Sequence, residues 1–130
     1  MNWGTLFVAL FMGHIAGDYW LQNDWMARSK INFDREGWLA CLVHCVVYTI
    51  AVGFSLTQYG FHVGWWAAFF IFLSHFPIDK WSLGKKWMKM YGQSMDPKTN
   101  PFVPCVYIAV DNGFHIFLML SWLGAMYHIK

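Results

Sequence analysis

Length, composition and charge limit the classes of protein to which this chain can belong. Its 130 residues are 58% hydrophobic and only 12% charged, whereas a soluble chain carries about 25% charged residues. The net charge of +2 is too small to indicate a nucleic-acid-binding protein. The composition instead predicts that residues 1–130 form one membrane-embedded domain.

Four long apolar segments follow one another along the chain. They cover residues 3–22, 37–57, 61–82 and 102–127. Each contains at least the ~20 residues that an α-helix needs to cross the hydrocarbon core of a bilayer. A helix also satisfies its own backbone hydrogen bonds in lipid. The sequence therefore predicts an all-α integral membrane protein, built as a bundle of four transmembrane helices.

The first segment ends in HIAGDYWLQ, which places His14 and Asp18 four residues apart, with Gln22 at the end of the segment. Residues at this spacing lie on one face of a helix. A charged aspartate inside a membrane span costs about 2.5–3.5 kcal/mol on insertion scales. Such residues are rare and mark functional sites, so this pair does more than mark the end of a hydrophobic segment.

The later segments repeat this pattern. The second contains His44, the third contains His75 and Asp79, and the fourth contains Asp111 and His115. Counted from the segment ends at 1.5 Å per residue, most of these residues lie about 5–15 Å below the cytoplasmic surface. Four helices thus bring seven ionisable groups to one level, where they can meet only in the interior of the bundle. Alternatively, each pair only satisfies itself by a hydrogen bond along its own helix.

The connections between the segments predict the orientation. Residues 23–36 and 80–98 contain every lysine and arginine except Lys130. Lysine and arginine accumulate on the cytoplasmic side of a membrane. Loops 23–36 and 83–101 are therefore predicted to be cytoplasmic, and both termini are predicted to lie outside.

The second cytoplasmic loop begins with LGKKWMKMYG, a short amphipathic pattern. A helix of this kind lies in the headgroup layer and attracts anionic lipid. Lys85, Lys86 and Lys89 are the residues expected to contact lipid headgroups. The same lysines also fit a simple excess of positive charge on the inner side.

A divalent metal ion explains the seven polar residues most economically. Imidazole and carboxylate ligands suit Zn²⁺, which we prefer, and also Mn²⁺, Fe²⁺ or Ni²⁺. Seven groups exceed one tetrahedral shell, so either two metals bind or some aspartates orient ligating histidines. The candidate ligands are His14, Asp18, His44, His75, Asp79, Asp111 and His115. The three aspartates are also the candidate catalytic residues.

At these motifs the chain resembles an uncharacterised family of bacterial and phage membrane proteins, domain of unknown function 3307. The resemblance is carried by HIAGDYWLQNDWMARSK, LVHCVVY, HFPIDKW and DNGFH. The last motif has Asn112 where the family pattern has glutamine. The resemblance implies a location in the bacterial inner membrane. A more distant likeness to membrane-bound metal-dependent hydrolases implies a hydrolytic activity.

The leading functional hypothesis is therefore a metal-dependent hydrolase of a lipid or lipid-linked phosphoester, with membrane lipids as its partners. Gln22, Lys80 and Asn112 are the candidate substrate-binding residues near the mouth of the site. A metal or proton transporter or channel subunit is an alternative, because proton relays also use intramembrane His and Asp. Four helices are few for transport, so that alternative requires a homo-oligomer.

Two further alternatives remain. The protein could be a non-catalytic phage membrane protein that acts on a host membrane protein, with a polar cluster that only locks the fold. It could also bind haem b through its histidines, although haem gives no reason for three aspartates.

Overall fold

The computed structural model describes residues 2–128, so Lys130, which is expected on the outer side, lies outside the described residues. Within the described part the chain is entirely helical and contains no strand, as the sequence predicts. The elements are α1 (Trp3–Ile15), a π-helix (Ala16–Trp20), α2 (Asp24–Ser29), α3 (Arg35–Gln58), α4 (Trp65–Lys80), α5 (Leu83–Met90) and α6 (Val103–Met126).

Polar side chains define where several of these helices begin. Asn2, Asn23 and Asp34 each accept a hydrogen bond from a backbone N–H in the first turn of the helix that follows, at 2.7–2.9 Å. Such caps satisfy N–H groups that have no partner within the helix. In α6 the same end carries Pro104, which has no N–H to satisfy.

The helix boundaries differ from the predicted segments in two places. The first helix changes to π geometry at Ala16, and α4 begins only at Trp65, four residues after the predicted start. Helices α3 and α6, each of 24 residues, are long and apolar enough to cross a membrane. Helices α1 and α4 have 13 and 16 residues. By length and composition the structure thus supports two of the four predicted spans.

Four helices pack in a closed ring, in the order α1, α3, α4, α6 and back to α1. Helix α2 lies against α3, and α5 lies mainly against α6. Neighbouring helices in the ring are antiparallel. At each end of the bundle, therefore, two of the four helices begin and the other two end. The end that holds the N-terminus contains an apolar core that includes Leu6, Leu10, Val52, Ile71 and Leu123. The opposite end contains buried polar residues.

Large apolar side chains cover the outside of the ring. Phe7 on α1, Ile50 on α3, Phe69 on α4 and Phe117 on α6 are between 45% and 69% exposed. Exposed apolar surface on this scale is unusual for a soluble monomer. Helix α5 forms where the amphipathic pattern predicts it, with its three lysines exposed.

Candidate metal centre

Most of the buried polar residues form one cluster between the four helices of the ring. His44, His75 and His115 are at most 1% exposed, and Asp79 is 5% exposed. The cluster takes Asp18 from the π-helix, His44 from α3, His75 and Asp79 from α4, and Asp111 and His115 from α6. The structure therefore brings together six of the seven candidate ligands that the sequence indicates.

Four of these residues form a compact first group. Asp18, His44, His75 and Asp79 each offer one ligand atom, and these atoms lie within 4.8 Å of one another. His44 Nε2 is 3.0 Å from Asp79 Oδ2 and 3.2 Å from Asp18 Oδ1. His75 Nε2 is 3.3 Å from Asp79 Oδ2. Two imidazoles and two carboxylates thus converge, and these are ligand types that bind zinc and similar divalent ions.

A second group shares one residue with the first. Asp79, Asp111 and His115 also offer ligand atoms that lie within 4.8 Å of one another. His115 Nε2 is 3.3 Å from Asp79 Oδ1 and 3.6 Å from Asp111 Oδ2. Asp79 is therefore the residue that joins the two halves of the cluster.

Three buried atoms of the cluster lack a hydrogen-bond partner among the described residues: Asp18 Oδ1, His44 Nδ1 and His115 Nε2. A buried polar atom without a partner costs about 1–3 kcal/mol, so such atoms need an explanation. Asp18 Oδ1 points into the first group and His115 Nε2 into the second. A cation bound in either group would satisfy the unpaired atom there.

The π-helix places Asp18 in the cluster. Its wider turn is closed by a hydrogen bond of 3.0 Å from Leu21 N–H to the carbonyl oxygen of Ala16. Gly17 allows this turn to lie directly on α3, because a Cβ atom at this position would be only 2.6 Å from Tyr48 Cδ2. A π turn inside an α-helix is frequently found at a functional site.

His14, the seventh candidate, lies beside the two groups and not within them. Its Nε2 is 2.9 Å from Asn112 Oδ1, and its Nδ1 is 2.9 Å from the Tyr48 hydroxyl. Because an amide oxygen only accepts, His14 Nε2 donates to Asn112. The Tyr48 hydroxyl beside Nδ1 also donates to Met119 Sδ at 3.6 Å. Both ring nitrogens therefore have partners, and Nδ1 also lies 3.4 Å from Asp18 Oδ2; the expected role of His14 as a metal ligand stays a prediction.

Asn112 was expected to bind substrate, but its side-chain oxygen accepts from His14 and also from Tyr19 Oη at 3.0 Å. This amide thus ties α6 to α1 and the π-helix. Substrate binding by Asn112 stays a prediction.

Lys80, another candidate for substrate binding, is only 1% exposed. Its Nζ donates to the backbone carbonyl oxygens of Asn32 at 2.5 Å and Lys30 at 3.2 Å. The same ammonium lies 4.3 Å from the ring centroid of Trp38. Lys80 therefore contacts the loop between α2 and α3, and its expected role in substrate binding stays a prediction.

Lys30 also contacts the cluster, although the sequence indicates it only as part of the basic loop. Its Nζ donates to Asp79 Oδ2 at 2.5 Å and to Gln22 Oε1 at 2.6 Å. Burial lowers the pKa of Lys30, but the carboxylates of Asp79 and Asp18 outweigh this effect and hold the pKa above its usual value. In the sequence, the only indication that Lys30 belongs near the cluster was its position at the end of the motif HIAGDYWLQNDWMARSK.

A cavity of about 250 Å³ lies against the cluster between the π-helix, α5 and α6. Its lining includes the carboxylates of Asp18 and Asp111, together with Gln22, Lys30 and Lys85. Gln22, which is predicted to lie near the mouth of the site, is among the residues that line this cavity. One aspartate from each group thus lines a cavity with room for a small polar ligand.

Comparison with known proteins gives one match. Residues 6–128 match the family described as "Protein of unknown function (DUF3307)". No curated protein and no solved structure matches the chain.

Proposed function

Because the chain belongs to the DUF3307 family, whose function is unknown, we propose a function from the site itself. The protein is a membrane-embedded, metal-dependent hydrolase that acts at the cytoplasmic face of a bacterial inner membrane. Its substrate is a lipid or lipid-linked phosphoester. The observation that carries this proposal is the convergence of Asp18, His44, His75 and Asp79 within 4.8 Å.

Four membrane spans fit the shape of the bundle. Helices α3 and α6 have the required length and hydropathy. Residues 3–20 of α1 and the π-helix extend about 27 Å, and the 16 residues of α4 about 24 Å. These lengths are near the ~30 Å of a bilayer core. The basic loops lie at the end of the bundle that holds the cluster, so this end faces the cytoplasm.

A metal ion fits the first group because of both charge and geometry. The cluster contains three aspartates, and Lys30 is the cation that contacts it among the described residues. Divalent zinc, manganese or iron would balance the remaining charge and accept the two imidazoles and two carboxylates. Such an ion lowers the pKa of bound water and polarises a phosphoryl oxygen.

Lys30 then contributes to substrate binding. A cation in the first group competes with the Lys30 ammonium for Asp79 Oδ2, which it contacts at 2.5 Å. Lys30 also lines the cavity, as does Lys85. When Lys30 leaves Asp79, its ammonium can contact a phosphate in this cavity.

The test measures metal content and hydrolysis in the same preparations. Purified protein in lipid nanodiscs is loaded with Zn²⁺ or Mn²⁺, freed of excess metal, and mixed with phosphorylated lipids while phosphate release is followed. We expect stoichiometric metal and metal-dependent release in the wild type, and loss of both in Asp79→Asn. Asp24→Asn is the matched control, because the Asp24 side chain is 92% exposed. Wild-type protein that retains no metal after loading would exclude this function.

A further inference from the structure

The two carboxylate oxygens of Asp79 face different sets of ligands. Oδ2 lies 3.0 Å from His44 Nε2 and 3.3 Å from His75 Nε2. Oδ1 lies 3.3 Å from His115 Nε2. A carboxylate that presents one oxygen to each of two ligand groups has the arrangement of a bridge between two cations.

A separate observation indicates that the second group binds a ligand. His115 Nε2 lacks a hydrogen-bond partner among the described residues, although His115 is 1% exposed. This atom points between Asp79 Oδ1 and Asp111 Oδ2. Three protein ligands leave coordination positions open, and Asp111 lines the cavity through which water or substrate can reach them.

We infer that the protein binds two divalent metal ions bridged by Asp79. Asp18, His44 and His75 complete the first site, and Asp111 and His115 complete the second. This inference rests on the proposed metal site and adds a second ion to it. Two-metal hydrolases hold their ions about 3.5–4 Å apart and clamp the attacking and leaving oxygens of a phosphoester between them. The arrangement therefore points to phosphoester hydrolysis within the broader class of metal-dependent hydrolysis.

A contact between two of these ligands makes the sites unequal. His75 Nδ1 lies 3.0 Å from His115 Nδ1, so one nitrogen donates and the other accepts. A neutral imidazole that binds metal through Nε2 carries its hydrogen on Nδ1. If both rings bind metal, both Nδ1 atoms carry hydrogen and the contact becomes repulsive. The first ion therefore binds with the contact intact, and the second binds more weakly because the rings must separate.

The experiment titrates Mn²⁺ into metal-free protein in nanodiscs and measures bound ions per chain by equilibrium dialysis. The wild type is expected to bind two ions in two steps of different affinity. Asp111→Asn is expected to bind one ion at the affinity of the first step, and Asp18→Asn to weaken that first step. Asp24→Asn should match the wild type. His115→Gln serves as a second variant if Asp111→Asn does not fold.

Electron paramagnetic resonance of the Mn²⁺-loaded wild type tests the bridge directly. Two ions that share a carboxylate give an exchange-coupled spectrum, and Asp111→Asn should return the signal of an isolated ion. One ion per chain at saturation, or two ions without coupling, would overturn the inference. One bound ion with active hydrolysis would leave the proposed function intact, whereas two coupled ions without hydrolysis would refute that function alone.

Discussion

The ring of Tyr48 lies almost parallel to the imidazole of His75, with ring centroids 3.5 Å apart and 16° between the planes. Its hydroxyl is also 2.9 Å from His14 Nδ1, and Gly17 packs directly against its ring. One side chain of α3 thus fixes the plane of a proposed ligand, holds His14 and supports the π-helix. Disturbing this contact is expected to affect the metal site without removing a ligand.

Gly17→Ala tests the close approach of the π-helix to α3. The added Cβ would be 2.6 Å from Tyr48 Cδ2 and 3.2 Å from Tyr48 Cα, so the backbones must separate. Overpacking of this kind costs about 1–3 kcal/mol, and the displacement of Asp18 should also lower metal affinity. Thermal unfolding and Mn²⁺ titration measure the two effects. The control is Gly113→Ala, where the Cβ has no neighbour within 4 Å among the described residues. Equal behaviour of the two variants would contradict this role of Gly17.

The variant His14→Ala tests whether His14 orients the metal ligands or binds the metal itself. The substitution removes partners of Tyr48 and Asn112, for a stability loss of about 1–3 kcal/mol. We expect metal affinity to fall by about 10–100-fold, as for residues that only orient ligands, while full stoichiometry is still reached. His44→Ala should instead lose the first ion. If both variants lose the same number of ions, His14 is a ligand, as its sequence motif first suggests.

Lys30→Met should change metal binding and catalysis in opposite directions. It removes the ammonium that contacts Asp79 Oδ2 at 2.5 Å, so the first ion no longer competes with it and binds more tightly. It also removes a cation from the cavity wall, so the KM for a phosphorylated lipid should rise. Metal titration and steady-state kinetics measure the two effects. Lys86→Met, on the exposed face of α5, is the control. Weaker metal binding in Lys30→Met would contradict the competition.

Lys80→Met tests the assignment of this buried lysine to the loop. Hydrogen bonds to charged groups are worth about 1.5–3 kcal/mol, and Lys80 makes two of them to loop carbonyl oxygens. We expect a lower unfolding temperature and faster proteolysis between α2 and α3, with the KM largely retained. A rise in KM without a loss of stability would indicate instead that Lys80 binds the substrate.

The proposed topology predicts which loops are accessible from each side. In a variant without the three native cysteines, Lys98→Cys should react with an impermeant maleimide only after the inner face is opened. Gln58→Cys, at the end of α3, should react in intact spheroplasts. Both positions are exposed in the structure. If Gln58→Cys and Lys98→Cys were labelled from the same side, an odd number of membrane crossings between residues 58 and 98 would be excluded.

Much of the fold follows from continuous apolar stretches and capping residues, since a long apolar helix has few alternatives. The change to π geometry at Ala16 was not predictable, because it depends on how Gly17 meets Tyr48 on another helix. Similarly, α4 begins at Trp65, and the apolar residues before it belong to the connection. Apolar character identifies residues that avoid water, but it does not separate helix from adjoining loop.

The cluster itself was predictable from spacing and depth, since residues four apart share a helix face. The contacts of His14 were not, because they depend on which side chains of other helices lie beside its two nitrogens. Lys30 was missed because the path of a loop determines where its side chain reaches, and periodicity carries no information about that path. Lys80 lies one residue after Asp79, on a different side of α4, where it meets the loop carbonyls.

The distribution of the cluster over all four long helices has a consequence for assembly. In lipid, apolar surfaces provide little drive for helices to associate, and small residues and polar contacts hold them together. Each long helix here, with the π-helix counted with α1, contributes at least one member of the cluster. Metal binding is therefore expected to contribute to the free energy that joins separately inserted helices into one protein. Cells starved of metal should then contain less of this protein, because loosely associated helices are exposed to membrane proteases.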